Sequence, residues 1–220
     1  MSQELGKNKH MNMTEDELPK VENKELNETE KGIAKIRLDD KHLLANKWTF
    51  WFYEQKSKIL EENLHEVFSF DTVEDFWCLF NHIKSPSQLP SQSHYSYFKY
   101  GIKPNWDDEN NISGGRWLLE FSQKKNFHLV DEYWKKIIMS MIGEVYESSE
   151  INGAIISVQN KGIKLSVWTN NASQDNKTTI IAIGRKIKEI LGTKDIKMVY
   201  ECLTSTENKR GSSTKPMFNL

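Results

Sequence analysis

Cysteine is scarce in this chain of 220 residues, with Cys78 and Cys202 alone. Two cysteines so far apart make no metal-binding spacing and no disulfide framework. A single bridge between them stays open, but nothing points to secretion and the expected compartment is a reducing one. An excess of either charge is also missing. Lys and Arg total 30 against 31 Asp and Glu, a formal net charge of −1. A general polynucleotide binder carries a strong basic surplus, so that class is disfavoured; a small ligand held by a local basic patch is not. No apolar run approaches the ~20 residues of a membrane span. The stretch Met1-Ser2-Gln3-Glu4-Leu5-Gly6-Lys7 has no apolar centre for a signal peptide. The expected location is therefore the cytoplasm, with the nucleus as a second compartment. Signatures of catalysis are lacking too: no nucleophile elbow, P-loop, dinucleotide fingerprint or zinc motif is found. We expect no enzyme, no cofactor and no metal. The histidines, including His82 beside Asn81, show no metal geometry and read as structural.

Aromatic residues are absent from residues 1 to about 40, which are rich in Glu, Lys and Asn. Residues 1–47 carry 9 basic and 10 acidic side chains. Such a segment buries too little apolar surface to offset the entropy of ordering it. Residues 1–40 are expected to be a disordered polar tail, and 41–220 a folded domain with a mobile polar loop near 205–215.

What the chain has in quantity is tryptophan, at positions 48, 51, 77, 106, 117, 134 and 168. Six of the seven fall in segments that read as strands or helices. Trp48, Trp51, Trp117 and Trp134 are read as core. Trp106 stands apart, in the polar stretch Lys103-Pro104-Asn105-Trp106-Asp107-Asp108-Glu109. A flat ring flanked by carboxylates in a wet loop suits stacking on a base whose edge donates hydrogen bonds.

The remaining pattern alternates strand and helix. Trp48–Tyr53, Ser96–Tyr100, Arg116–Phe121, Ile151–Val158, Ile163–Trp168 and Ile196–Cys202 read as strands. Asp71 opens a helix as its cap, with Phe76, Phe80 and Ile83 at helical spacing. Asp131–Ile142 and Thr178–Leu191 are helices stopped by Gly143 and Gly192. Gln159-Asn160-Lys161-Gly162 suits a tight hairpin with positive φ near the glycine. Hairpin-joined strands with a few helices indicate an α+β fold, helices on one face of a largely antiparallel sheet.

Several segments agree in order and spacing with one family. They are His42 through Trp48-Thr49-Phe50-Trp51-Phe52, Phe70-Asp71-Thr72-Val73-Glu74-Asp75-Phe76-Trp77 with Asn81-His82-Ile83, Gly101 to Glu109, Gly114-Gly115-Arg116-Trp117, Ile142-Gly143-Glu144, and Gly211-Ser212-Ser213-Thr214-Lys215. Over residues 40–220 the chain resembles the eukaryotic translation initiation factor 4E family, which binds the mRNA 5′ cap. The resemblance implies a strongly curved antiparallel sheet of about eight strands with three helices on the convex face. The implied ligand is 7-methylguanosine joined through a triphosphate, whose cationic base is held by stacking and cation–π attraction.

Carried over by resemblance, Trp106 is one of two stacking tryptophans. The position of the other is Leu60, and no aromatic lies from Glu54 to Glu66. A base on one ring alone forgoes about 1–3 kcal/mol. Asp107 stands for the glutamate that accepts from guanine N1–H and N2–H, one methylene further back. Trp168 matches the tryptophan against the methyl group. Arg116, Lys161, Lys164 and Lys209 match phosphate-binding cations, whereas Gln159 replaces an arginine and removes a bidentate contact. Ser212 matches a serine phosphorylated in animal members. Reduced or altered cap affinity follows as an expectation.

The resemblance also implies a convex partner face that takes a short amphipathic helix from scaffold and repressor proteins. Trp77, Val73, His42, Met139, Gly143 and Glu144 match it. Lys135 and Lys136 stand where a leucine and a glutamate are usual, reversing local charge. The implied role is recruitment of a scaffold in translation initiation, as a monomer within a larger initiation complex and away from membranes. The rival reading is a non-catalytic interaction protein or repressor that has largely lost cap binding or scaffold recruitment.

Overall fold

The computed structural model describes residues 41–59, 62–122, 127–192, 196–203 and 216–220. Among these, eight strands form one antiparallel sheet: β1 (Leu43–Glu54), β2 (Leu64–Thr72), β3 (Ser93–Lys99), β4 (Gly115–Phe121), β5 (Ile151–Gln159), β6 (Gly162–Thr169), β7 (Met198–Cys202) and β8 (Phe218–Asn219). Their spatial order is β2-β1-β3-β5-β6-β4-β7-β8. Three helices, α1 (Val73–His82), α2 (Val130–Ile142) and α3 (Lys177–Leu191), pack on the convex side of the curved sheet. The expected α+β architecture is the one observed.

Side-chain alternation along the strands explains why one face is dry. Trp48, Phe50, Tyr95, Tyr97, Trp117, Leu119, Ile156, Leu165 and Val167 point to the helices and are buried. Against them lie Phe76 of α1, Trp134, Ile137, Ile138 and Met141 of α2, and Ile180, Ile183 and Ile187 of α3. The helical residues recur at three- and four-residue spacing, the stripe an amphipathic helix needs. The opposite parity (Thr49, Trp51 and Tyr53 on β1, His94 and Ser96 on β3, Arg116 and Glu120 on β4, Lys164, Ser166 and Trp168 on β6, Glu201 on β7) lines the concave face.

Local chemistry sets the helix ends. Thr72, not Asp71, caps α1: its Oγ1 accepts from the Asp75 N–H at 3.2 Å and donates to the Asp75 carboxylate at 2.7 Å. Asp71 belongs to β2, a strand absent from the sequence reading, as was β8. The turn between α1 and β3 is tied to the first turn of α2, where Asp131 accepts from the Ser87 N–H and hydroxyl at 2.9 and 2.6 Å. Gly192 ends α3 at φ 67°, its N–H donating to Lys188 and Glu189 carbonyls. Gly143 ends α2 without a left-handed turn, at φ −82°; that conformation falls instead on Glu144, at φ 53°. In the β5–β6 hairpin Gln159 pairs with Gly162, and Gly162 carries the positive φ, 150°.

Two readings of aromatic and sulfur residues are corrected or settled. Trp48, Trp117 and Trp134 are core residues. Trp51 is not: it sits on the concave parity and is half-buried. Cys78 and Cys202 form no disulfide.

Candidate ligand cleft and convex helix face

The loop that carries Trp106 is built on one buried amide. Asn111, fully buried, donates from Nδ2 to the carbonyls of Lys103 and Asn105 at 2.9 and 2.8 Å. Its Oδ1 accepts from Asn152 Nδ2 at 2.9 Å, and that amide also donates to the Asn110 carbonyl at 2.8 Å. Asp108 closes the turn, accepting from the N–H groups of Lys103 and Asn110 and from the Asn110 side chain. Burial pushes the Asp108 carboxyl up, but those hydrogen bonds and the Lys103 charge outweigh it and leave it below its ordinary range. Gly114 fastens the loop to β4; a Cβ there would strike the Thr169 carbonyl oxygen. The loop's two ends are thus pinned while the Trp106 ring stays 41% exposed.

Trp106 opens onto a cleft of about 380 Å³ lined also by Tyr53, His94, Arg116, Trp168 and Leu203. Trp168 is buried, its Nε1–H donates to Ser166 Oγ at 3.0 Å, and its ring meets Phe98 edge-on at 5.6 Å. Tyr53 and His94 stack face to face at 4.4 Å with an interplanar angle of 3°. Burial lowers the His94 pKa to about 4, so the imidazole is neutral at physiological pH. Asp107, beside Trp106, is exposed. Arg116 lies between Trp168 on β6 and Glu201 on β7, and its Nη2 donates to Glu201 at 3.2 Å.

A separate hollow of about 400 Å³ lies where β4 ends and the β5–β6 hairpin turns, lined by Glu120, Gln159, Lys161 and Lys164 among others. Lys164 pairs with Glu120 at 2.8 Å. Lys161, at the hairpin tip, is exposed and makes no ion pair with a described residue. Leu60, Lys209 and Ser212 lie outside the described residues. The structure therefore gathers Trp106, Trp168 and Arg116 in one cleft and Gln159, Lys161 and Lys164 in a separate hollow. Sequence reasoning did not anticipate Asn111, Asn152, Tyr53, His94 or Glu201. Only the Asx-rich run Asp107 to Asn111 offered a signal, as residues that hydrogen-bond nearby backbone.

On the helix side, His42 meets the first turn of α1, its Nδ1 2.7 Å from Glu74 Oε1 and its N–H donating to Glu74 Oε2 at 2.9 Å. The His42 hydrogen bond is the leading cause of a lowered Glu74 pKa. Asn46 donates to Glu144 at 2.6 Å, joining β1 to the residues after α2. Val73 and Met139 are exposed, at 36% and 43%. Trp77 is half-buried, with Phe80 edge-on at 5.9 Å. Gly143 and Lys135 are exposed; Lys136 pairs with Glu132 at 2.6 Å, one turn back.

A curved sheet with helices behind it, and an aromatic cleft with an arginine in its hollow, define a concave-sheet binding protein: Trp106 offers a face to a flat ring and Arg116 an edge to an anion. The comparisons narrow the class. The profile of the family described as "Eukaryotic initiation factor 4E" matches residues 43–217. Eukaryotic translation initiation factor 4E-1A of Danio rerio is 40% identical over 195 residues, covering 87% of this chain and 90% of its own. The Homo sapiens factor 4E is 38% identical over 204 residues, 91% of this chain and 93% of its own. Among solved structures, Ascaris suum eIF4E-3 in complex with the m2,2,7G cap has TM-score 0.74 at 40% identity, covering 82% of this chain and 98% of that one. A Schistosome eIF4E complexed with m7GpppG and 4E-BP has TM-score 0.74 at 29% identity, covering 82% and 100%. This chain belongs to the eukaryotic initiation factor 4E family. No described helix is long and apolar enough to cross a membrane.

Proposed function

We propose that this chain binds the 7-methylguanosine cap of mRNA in its concave cleft and offers its helix face to scaffold and repressor proteins in translation initiation. One observation carries the reading: a half-exposed indole, Trp106, shares a cleft with Trp168 and Arg116. A cationic purine stacks on Trp106, its methyl group against Trp168. Asp107 accepts from guanine N1–H and N2–H, and the phosphates run toward Arg116, Lys161 and Lys164. By family resemblance Lys209 is a further phosphate-binding cation and Ser212 a modification site, and Gln159 supplies a neutral contact. With Leu60 in place of a second stacking ring, affinity is lower than in relatives with two. The chemistry is binding without bond-making, in the cytoplasm, as a monomer within an initiation complex. Residues 1–40 serve as a polar tail.

Relatives in this family have been solved with cap analogues, with 4E-BP and with Mextli. That history supports a partner face formed by His42, Val73, Trp77, Met139, Gly143 and Glu144. Lys135 and Lys136 favour a second reading, a cap binder or interaction protein with altered recruitment, because they place positive charge where a basic partner residue would dock. Retention on immobilised 7-methylguanosine triphosphate, eluted by free methylated but not unmethylated nucleotide, tests the first reading. Passage without retention refutes it.

A further inference from the structure

The phosphate-facing cations on the concave face do not stand alone. Arg116 is directly opposite Trp168 on one side and Glu201 on the other, a single row across β6, β4 and β7. Four residues along β4, about 13 Å at strand spacing, Glu120 sits opposite Lys164. Each cation thus has a carboxylate as its cross-strand partner, and each pair is closed, at 3.2 Å for Arg116–Glu201 and 2.8 Å for Lys164–Glu120. The first pair is the more sheltered, with side chains 28% and 14% exposed; the second is open, at 41% and 64%. Screening weakens open pairs more than sheltered ones.

The Arg116 pair is also one-sided. Only Nη2 reaches Glu201, while the buried Nε finds no partner among the described residues. A guanidinium so held keeps donors for a second anion, and that anion would meet the Glu201 charge as well as the Arg116 charge.

We propose that Glu201 is an internal competitor for the anionic end of the cap, acting through Arg116, and that Glu120 does the same more weakly through Lys164. This deepens the cap-binding reading and rests on it. The two carboxylates set how much binding depends on the phosphates while leaving the base contacts of Trp106 and Trp168 untouched. Affinity then varies less steeply with phosphate number and with salt than the cation count alone implies.

The test is tryptophan-fluorescence titration of the full chain with 7-methylguanosine and its mono-, di- and triphosphates, at low and at physiological salt. Glu201→Gln keeps the side-chain shape and removes the charge. It is expected to tighten triphosphate binding on the order of tenfold, the monophosphate less, and the bare nucleoside not at all. Its log-affinity should fall more steeply with log salt than that of the unaltered chain. Glu120→Gln, at an exposed site, should act in the same direction by a smaller factor, and thermal melts should confirm that both variants fold. Weaker triphosphate binding by Glu201→Gln would mean that Glu201 only holds Arg116 in place, and equal changes for nucleoside and triphosphate would mean a general effect on the cleft; either overturns the proposal. If neither the unaltered chain nor the variants respond to any methylated ligand, the cap reading falls and this one with it. Binding that emerges only in Glu201→Gln supports both.

Discussion

Replacing Asn111 with alanine should separate the scaffolding of the cleft from its contact surface. The side chain is fully buried and makes three hydrogen bonds: two donated to Lys103 and Asn105 carbonyls and one accepted from Asn152. Truncation strands two carbonyls and an amide N–H in a site shielded from solvent. Each such group costs about 1–3 kcal/mol when left unpaired. Because the loop can open and admit water, we expect a net loss of about 3 kcal/mol, a large share of the ~5–15 kcal/mol typical of a domain. Trp106→Ala is the counterpart. Its ring is 41% exposed, so stability should shift by less than about 1 kcal/mol, while stacking worth about 1–3 kcal/mol is lost, about 5- to 150-fold in affinity. Urea unfolding followed by far-UV circular dichroism gives the first quantity, and cap-analogue titration the second. Asn111→Ala should lose both stability and binding, and Trp106→Ala binding alone. If Asn111→Ala unfolds at the unaltered urea midpoint, the buried amide is not what holds the loop, and the account of how Trp106 is presented fails.

Three further outcomes are expected. Gly114→Ala should destabilise by about 3 kcal/mol, since its Cβ would press on the Thr169 carbonyl and lie 2.9 Å from that of Asn111; thermal melting checks it, and an unchanged midpoint contradicts the tight approach. His94 is neutral when folded, with a pKa lowered from 6.5 to about 4, so the unfolded chain takes up its proton first. Stability from this group is full above about pH 6.5 and falls as pH drops toward 4, by up to about 3 kcal/mol; His94→Asn should flatten that part of the urea-midpoint profile. Lys136→Glu should tighten binding of a basic amphipathic scaffold peptide about threefold or more, measured by calorimetry, while setting a like charge against Glu132 and costing the free helix about 0.3–0.5 kcal/mol. Undiminished affinity of the unaltered chain relative to a consensus relative would show that the lysines are neutral to recruitment.

The helices were legible because their apolar spacing is regular; their ends were less so, since only α1 has a side-chain N-cap, from Thr72 and not Asp71, and only α3 ends on a left-handed glycine. Strand β2 was not, because it is an edge strand with little buried surface. Its register to β1 also slips between Phe50↔Phe68 and Trp51↔Glu66, which erases the alternation that marks a half-buried strand. The two residues of β8 are too few to carry any pattern. Trp51 was misplaced for a different reason: aromatic content argued for the core, whereas counting parity from Trp48 and Phe50 puts it on the concave face. Trp106 was readable because nothing apolar surrounds it in sequence. Asn111 with Asn152, and Arg116 with Glu201, were not, being 41 and 85 residues apart and joined only by the sheet.

That last pairing changes what the near-zero net charge means. At the level of composition, 30 basic against 31 acidic residues argue only against a partner that needs a broad positive surface. In the folded sheet the balance recurs locally, because Arg116 and Lys164 each face a carboxylate across the strand. A short polyphosphate in such a track meets alternating signs instead of a uniform funnel, so long-range steering is weak and the grip depends on contact. On the proposed cap reading, selectivity then passes to the groups with no counter-charge among the described residues: the exposed Trp106, the buried ring of Trp168 and the exposed Lys161 at the hairpin tip. A cleft arranged this way discriminates by the base more than by the length of the phosphate chain. On that logic the aromatic pair Tyr53–His94, neutral and stacked in the same cleft, adds polarisable surface beside a cationic purine without adding repulsion.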